Sequence, residues 1–514
     1  MSSIGTPNSV SLLAWTIYLS FAGALVQALL PKGKASLSRW LALAFAGGGL
    51  ALAVQGFIAG MGQGRTVLVD LPWVPSMGVH FLLAADGISR VLVLLTGLAA
   101  VAGVLFSWNI ELRTNEFFAF FLALIGGVYG VFLSYDLFLL FVFYEIAIVP
   151  KYFLIAIWGS TRREYGAMKL ALYSFAGSAM VLIGLLAAYA TAGSHSTGLI
   201  DLAHANLPVS FQMWCFPLVF VGFAILAGMW PFHTWAPTGH VAAPTAASML
   251  LAGVVMKLGA YGCLRVAMGL FPHGMDPWGF AFAGIGSWRD VFAVLAVIGI
   301  VYGALVALVQ TDFKFVIGYS SVSHMGFVLL GLMTLNQIGV TGAVMQMFSH
   351  GIIAGLLFAI VGRIVYERTH TRQLADLEAM HLAKRLPFAA WAFVIAGMAS
   401  MGLPGFSGFV AELQVLIGSW KANPWWTAAA GIGIVVGVAY TWRAMQKAFF
   451  SDAPHHAHPH EAAEGNHALA AITWPEVTGV VMLTAVSLAV GLYPRILLDT
   501  IEPAVRALLA GGGQ

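Results

Sequence analysis

Charge is what this chain has least of. Its 514 residues include 24 Lys and Arg and 21 Asp and Glu, 9% of the total, against roughly 25% in ordinary soluble domains. That scarcity excludes a soluble globular protein, and a net charge of +3 is too small to suggest a nucleic-acid partner. Cysteine is nearly absent too. Cys215 and Cys263 both sit in apolar runs, which excludes a disulfide framework, a zinc motif or an Fe–S ligand set. No Gly-rich phosphate loop precedes a helix, and no nucleophile, base and orienting residue fall together. Any redox centre or nucleotide site connected with this chain is therefore expected on other chains. The first residues lack the basic patch, short apolar core and small-residue cleavage site of a signal peptide, so the first apolar run is expected to remain as a span.

What the chain has is apolar length. Hydrophobic residues make up 60% of it, enough for about fourteen spans of roughly 20 residues each. The spans read as 10–31, 39–62, 86–108, 114–134, 136–158, 166–191, 211–230, 244–270, 289–310, 316–336, 342–366, 386–404, 425–449 and 473–494. Each should be helical, because lipid leaves no other partner for the backbone. The expected fold class is an all-α polytopic membrane protein. The seventh span is interrupted near Pro231. The twelfth is interrupted at Leu403-Pro404-Gly405, and a second half-helix runs from Phe406 to Trp420. Paired interrupted segments suggest an inverted repeat, spans four to eight against nine to thirteen. One membrane domain covers 1–514, divided into 1–110 (helices 1–3), 111–270 (repeat one), 288–450 (repeat two) and 451–514 (loop, helix 14 and tail).

Basic residues set the orientation. Loops after odd-numbered spans hold Lys32, Lys34, Arg39, Arg113, Arg162, Arg163, Lys314, Arg368, Arg372, Lys384, Arg385, Arg443 and Lys447. Loops after even-numbered spans hold little beyond Arg65, Arg90 and Lys421. The odd loops are therefore expected in the cytoplasm, with both termini outside. Glu367 to Arg385, with Leu374, Leu377, Met380 and Leu382 at helical spacing, fits an interfacial helix. Asp499 to Leu509 reads as a short amphipathic surface helix. His455, His456, His458 and His460 read either as a solvated, proline-broken loop or as a metal-binding tract.

Against that apolar background a few ionisable residues stand out. Glu145 lies deep in span five, Lys169 near the start of span six, and Lys257 midway along span eight. His324 opens span ten, His350 lies within span eleven, and Glu412 follows the break in span twelve. A charged side chain at the centre of a spanning helix costs about 2.5–3.5 kcal/mol on insertion scales, and such residues usually face the bundle interior and pair with one another. Any one of them alone could be a satisfied structural group. As a series, Glu145, Lys257, His324, His350 and Glu412 read as a proton path, with histidine adding a group that titrates near neutrality. Asp312 and Lys314, at a helix end, read as a solvated loop.

These stretches carry a resemblance. D-L-F-L-L-F-V-F-Y-E (Asp136 to Glu145), P-F-H-T-W, A-P-T-A-A-S, M-K-L-G-A-Y-G, T-D-F-K-F-V-I-G-Y-S-S-V-S-H-M-G, M-F-S-H-G and G-L-P-G-F-S-G-F-V-A-E resemble the antiporter-like membrane subunits of respiratory NADH:quinone oxidoreductase (complex I), NuoM type. The likeness runs from about Asp86 to Phe450. A glutamate in the twelfth span, and the lack of a long lateral helix after span fourteen, favour that type over its two sister types. The resemblance implies fourteen helices with two inverted five-helix repeats and broken helices seven and twelve. It also implies neighbours that are homologous antiporter-like subunits in a bacterial inner membrane, with both termini periplasmic. NADH, FMN, Fe–S clusters and quinone would be held by partner subunits and no cofactor by this chain. Carried over, Glu145 would be the carboxylate of the first half-channel, Lys257 the central lysine, His324 and His350 the polar axis, and Glu412 the terminal site towards the outer face.

One departure matters. The family's seventh span reads approximately F-A-x-K-x-P, with its lysine partnering the span-five glutamate. Here the run is F-A-I-L-A-G-M-W, so Leu226 stands where that lysine belongs and Gly228 where the proline does. Thr238 and Ala242 stand at usually acidic positions. Glu145 is left to Lys169, Lys257 or water for compensation. Three functions follow as expectations: a proton-translocating subunit of a complex I-type quinone oxidoreductase; a scaffold subunit of such a complex that has lost pumping; or a subunit of a cation/proton antiporter or membrane-bound hydrogenase.

Overall fold

The computed structural model describes residues 10–193, 196–279, 281–282, 284–451 and 469–511. The histidine run at 455–460 lies outside them. Thirteen helices in the described residues are long and apolar enough to cross a membrane. Two shorter helices, Pro387–Ser400 and Ser407–Ala422, form the broken twelfth span. The count of fourteen thus stands, with the interruption where Leu403-Pro404-Gly405 places it.

The local signals that start these helices are polar residues at their N-caps. Asp136 accepts from the backbone N–H groups of Phe138 and Leu139 to open the fifth span (Leu137–Trp158). Asp312 does the same for the tenth (Phe313–Met333), and Asn336 for the eleventh (Gln337–Thr369). Each satisfies donors that no turn of helix could reach. Asp136 also accepts from Thr197 Oγ1 at 2.5 Å and from the His80 backbone at 3.1 Å. It thereby ties the fifth span to a loop and to the strand Val79–Ala85.

The eighth span (Thr245–Met268) and the eleventh are buried along their whole apolar windows. The third (Gly87–Phe106) packs against both. Gly253 and Gly351 bring the eighth and eleventh spans together. A Cβ on Gly351 would lie 2.6 Å from the Gly253 carbonyl oxygen, so only small residues allow this approach. The centre of the molecule is therefore formed by the two helices that carry Lys257 and His350.

Several expectations are corrected. His324 does not open its span; it lies in the middle of Phe313–Met333. Asp312 and Lys314 are not in a solvated loop: Lys314 is buried and donates to the Ala243 carbonyl at 3.2 Å, while Asp312 pairs with Arg372 at 3.2 Å. Arg90 is no loop residue but a buried member of the third span that donates to the Gly60 and Gln63 carbonyls. Glu367 to Arg385 is not one interfacial helix. It breaks into Glu367–Thr369, Leu374–Glu378 and Leu382–Arg385, with Leu374, Leu377 and Leu382 turned into the core. Between the second span (Ala35–Ala59) and the third, a segment with no element assigned forms an antiparallel hairpin, β1 (Thr66–Val74) with β2 (Val79–Ala85). The tail helix runs from Arg495 to Leu509 and buries Leu497, Ile501 and Val505.

Candidate functional site

Lys257 sits in a short α-helical piece, Met256–Gly262, between two π-helical stretches, Leu251–Val255 and Cys263–Met268. The wider turn of a π-helix disturbs the regular carbonyl pairing and is frequent at functional sites. Here the Lys257 ammonium turns back to the Ala252 carbonyl. Its other contact crosses to the eleventh span, where Nζ lies 2.7 Å from His350 Nδ1. Both side chains are buried.

From His350 the row continues by a ring contact rather than a hydrogen bond, His350 Nε2 being buried without a hydrogen-bond partner. Its ring stacks on that of His324, with centroids 5.5 Å apart and planes 30° apart. His324 Nδ1 lies 3.1 Å from Glu412 Oε1. Gln346 bridges the two, with Nε2 at 3.3 Å from His324 Nδ1 and 3.5 Å from the carboxylate. Ser400 approaches the other ring nitrogen of His324 at 3.4 Å. Two small cavities flank this pair, one lined by Ser321, Ser349 and His350, the other by Ser323 and Tyr440; each offers about 10 Å³ of space for water centres. That is about enough for one water. Four of the five expected residues therefore form one connected row, Lys257–His350–His324–Glu412.

Glu145 stands apart. Among the described residues no hydrogen bond or ion pair joins it to Lys257 or to the two histidines. Its Oε1 is buried without a hydrogen-bond partner, as is the Ser178 hydroxyl of the sixth span (Arg163–Ala192). Lys169, offered above as compensation, lies half-buried against Thr238 Oγ1 at 3.4 Å and over the Tyr165 ring.

Three buried groups escaped the sequence reading. Lys151, six residues beyond Glu145 on the same helix, is only 1% exposed, and its Nζ has no hydrogen-bond partner. His240, in the short helix Trp235–Ala242 after the seventh-span break, is fully buried with both ring nitrogens unpartnered, and stacks on Phe358 at 4.9 Å. It is within electrostatic reach of Lys257, Lys314 and His350. Arg265 pairs with Asp86 at the end of the eighth span. The signal for Lys151 was on the page: it stands inside span 136–158, and the argument applied to Glu145 covers it equally. His240 had no such signal, because its segment reads as a turn.

A cleft of about 330 Å³ opens beside Lys314, lined by Trp158, Ser160, Arg163, Thr245 and Glu367. It lies among the loops that follow odd-numbered spans.

A fourteen-span helical bundle with broken seventh and twelfth spans, threaded by a row of buried ionisable side chains, is the architecture of an antiporter-like membrane subunit. The sequence comparisons agree. The family described as NADH:quinone oxidoreductase/Mrp antiporter, TM, matches residues 134–437. NADH-quinone oxidoreductase subunit M of Rhodobacter capsulatus is 36% identical over 97% of this chain and 96% of the relative. Subunit M of Escherichia coli (strain K12) is 35% identical over 96% of this chain and 97% of its own length. A chain of respiratory complex I from Thermus thermophilus with bound NADH superposes with a TM-score of 0.85, at 27% identity, covering 98% of this chain and all of that one. The chain belongs to the NADH:quinone oxidoreductase/Mrp antiporter family of membrane subunits.

Proposed function

We propose that this chain is the subunit M-like, proton-translocating member of a complex I-type NADH:quinone oxidoreductase. Electron transfer in partner subunits, which hold NADH, FMN, Fe–S clusters and quinone, drives protons through it. The observation that carries the reading is the row Lys257–His350–His324–Glu412, each member in contact with the next. In such a row a change in one charge alters the proton affinity of the next. Protons enter from the cytoplasm through the cleft beside Lys314, reach Lys257 by way of His240, and leave past Glu412 towards the outer face. That direction follows from the basic odd-numbered loops, which put both termini on the periplasmic side of a bacterial inner membrane. Spans four to eight (111–270) and nine to thirteen (288–450) serve as two inverted units, with the row crossing from the first into the second. Homologous antiporter-like subunits flank the chain in the membrane.

The test is proton stoichiometry in the reconstituted complex. Lys257→Ala is expected to lower the protons moved per electron while the complex still assembles. An unchanged ratio would sink the proposal.

Leu226 favours a second reading, a scaffold subunit that bridges its neighbours without pumping. Under it, Glu145→Gln leaves proton movement untouched and deletion of the chain breaks assembly. Under the first reading, Glu145→Gln lowers proton movement.

A further inference from the structure

The seventh span has no cation at Leu226, which is 1% exposed and packs its backbone against Gly259 of the eighth span. The fifth span compensates. Lys151 is buried in the same helix as Glu145, its ammonium unpartnered, and one oxygen of Glu145 is likewise buried and unpartnered. A cation without a partner in an apolar interior is among the most costly groups a fold can hold. The electrostatic partner the structure gives Lys151 is Glu145. The reverse also holds, since Lys151 is, among the described residues, the charged group whose field reaches the Glu145 carboxylate.

Six residues of helix place the two about 9 Å apart along its axis. The span between them is not bare. Pro150, inside the helix, cannot donate to the Ile146 carbonyl, so that carbonyl loses its usual partner. That carbonyl belongs to the stretch of helix between the two residues. Ser174 of the sixth span adds a buried, unpartnered hydroxyl to this part of the bundle.

We infer that Lys151 is the working cationic partner of Glu145, so that the charge pair of the first half-channel lies within one helix instead of between the fifth and seventh spans. The inference rests on the proton-translocating reading above. It turns the loss at Leu226 from evidence of a dead half-channel into a relocation of its charge. Lys151 acts as a positioning residue: its charge sets the proton affinity of Glu145 and takes no part in redox chemistry.

The experiment compares Lys151→Met, Lys151→Arg, the double variant Lys151→Met/Leu226→Lys and, as a control, Lys257→Ala, each in the reconstituted complex. Assembly is read on native gels, and proton transfer from the pH jump that follows NADH addition. Lys151→Met should assemble and lose roughly tenfold or more of its proton transfer rate, the low side of what a lost proton-transfer group costs. Lys151→Arg, which keeps the charge, should retain most of it, and returning a lysine at position 226 should restore part of the loss. Equal losses in the Met and Arg variants would mean packing rather than charge, and would overturn the inference. So would wild-type transfer in Lys151→Met beside a defective Lys257→Ala; the translocation reading then survives. Wild-type transfer in both variants would remove that reading itself. Should the double variant fail to assemble, the contrast between Met and Arg still decides.

Discussion

At the scale of single residues, Gly402 shows how closely backbone and chemistry are joined. The helix breaks between the halves of the twelfth span with Gly402 at φ +71°, and a Cβ there would lie 2.7 Å from Glu412 Oε2. The same glycine thus makes the break and leaves room for the carboxylate. Gly402→Ala would place a side chain in left-handed backbone, at roughly 1–2 kcal/mol, and would press on Glu412. The expected outcome is a lower unfolding temperature of the purified complex together with reduced proton transfer. A variant that lost stability alone would show that Glu412 can move aside without consequence. Lys151 teaches a different lesson at this scale. Its type and position are visible in the sequence, inside span 136–158, but its burial without a partner is set by packing.

At the scale of elements, the segment after the eleventh span shows where periodicity misleads. Leu374, Leu377 and Leu382 fall at helical spacing, but they do so across three short helices that turn inward, joined by left-handed residues at His370 and His381. Spacing alone cannot distinguish a continuous amphipathic helix from a folded strap. The strap is held at the end of its second helix by Glu378, 3.1 Å from Lys447 and 2.9 Å from Ser451. Burial alone would raise the Glu378 pKa, but the hydrogen bonds from Lys447 and Ser451 and the Lys447 charge outweigh it and hold the group below its usual value near 4.5. A carboxylate depressed in this way adds stability above pH 4.5 that is lost as pH falls through the lower folded value. Because the pair is partly exposed, the contribution should be only about 0.2–1 kcal/mol. Glu378→Gln should therefore be slightly less stable than wild type at neutral pH, with the two converging under acid conditions in thermal unfolding. A gap that persisted well below pH 4 would point to packing instead. The long spans themselves were legible to within a few residues because lipid forces helix on every apolar run. The β1–β2 hairpin was not, since neither strand shows a sustained alternation: β1 is more than half exposed and β2 is buried at its ends.

At the scale of the whole molecule, the proposed path carries an expectation about the moving ion, argued from what the row is built of. Its contacts run from ammonium nitrogen to imidazole nitrogen, from ring to ring, and only then to one carboxylate. Hard cations such as sodium demand several oxygen ligands at once, and nitrogen donors already charged or ready to protonate repel them. Protons, in contrast, move wherever such groups exchange hydrogen bonds through a water. The sequence could name the members of the row from their cost in lipid. It could not join them, because their adjacency is made by the close approach of Gly253 and Gly351 and by the break at Gly402, which are tertiary events. With the row assembled, the expectation is specific. Vesicles containing the complex should acidify or alkalinise on NADH addition to the same extent in sodium-free potassium buffer as in sodium buffer of equal ionic strength, and sodium flux should not follow electron transfer. Proton movement that rose with sodium, or sodium uptake matched to NADH oxidation, would require an oxygen-lined route separate from Lys257, His350, His324 and Glu412, and would return the chain to the cation/proton antiporter reading.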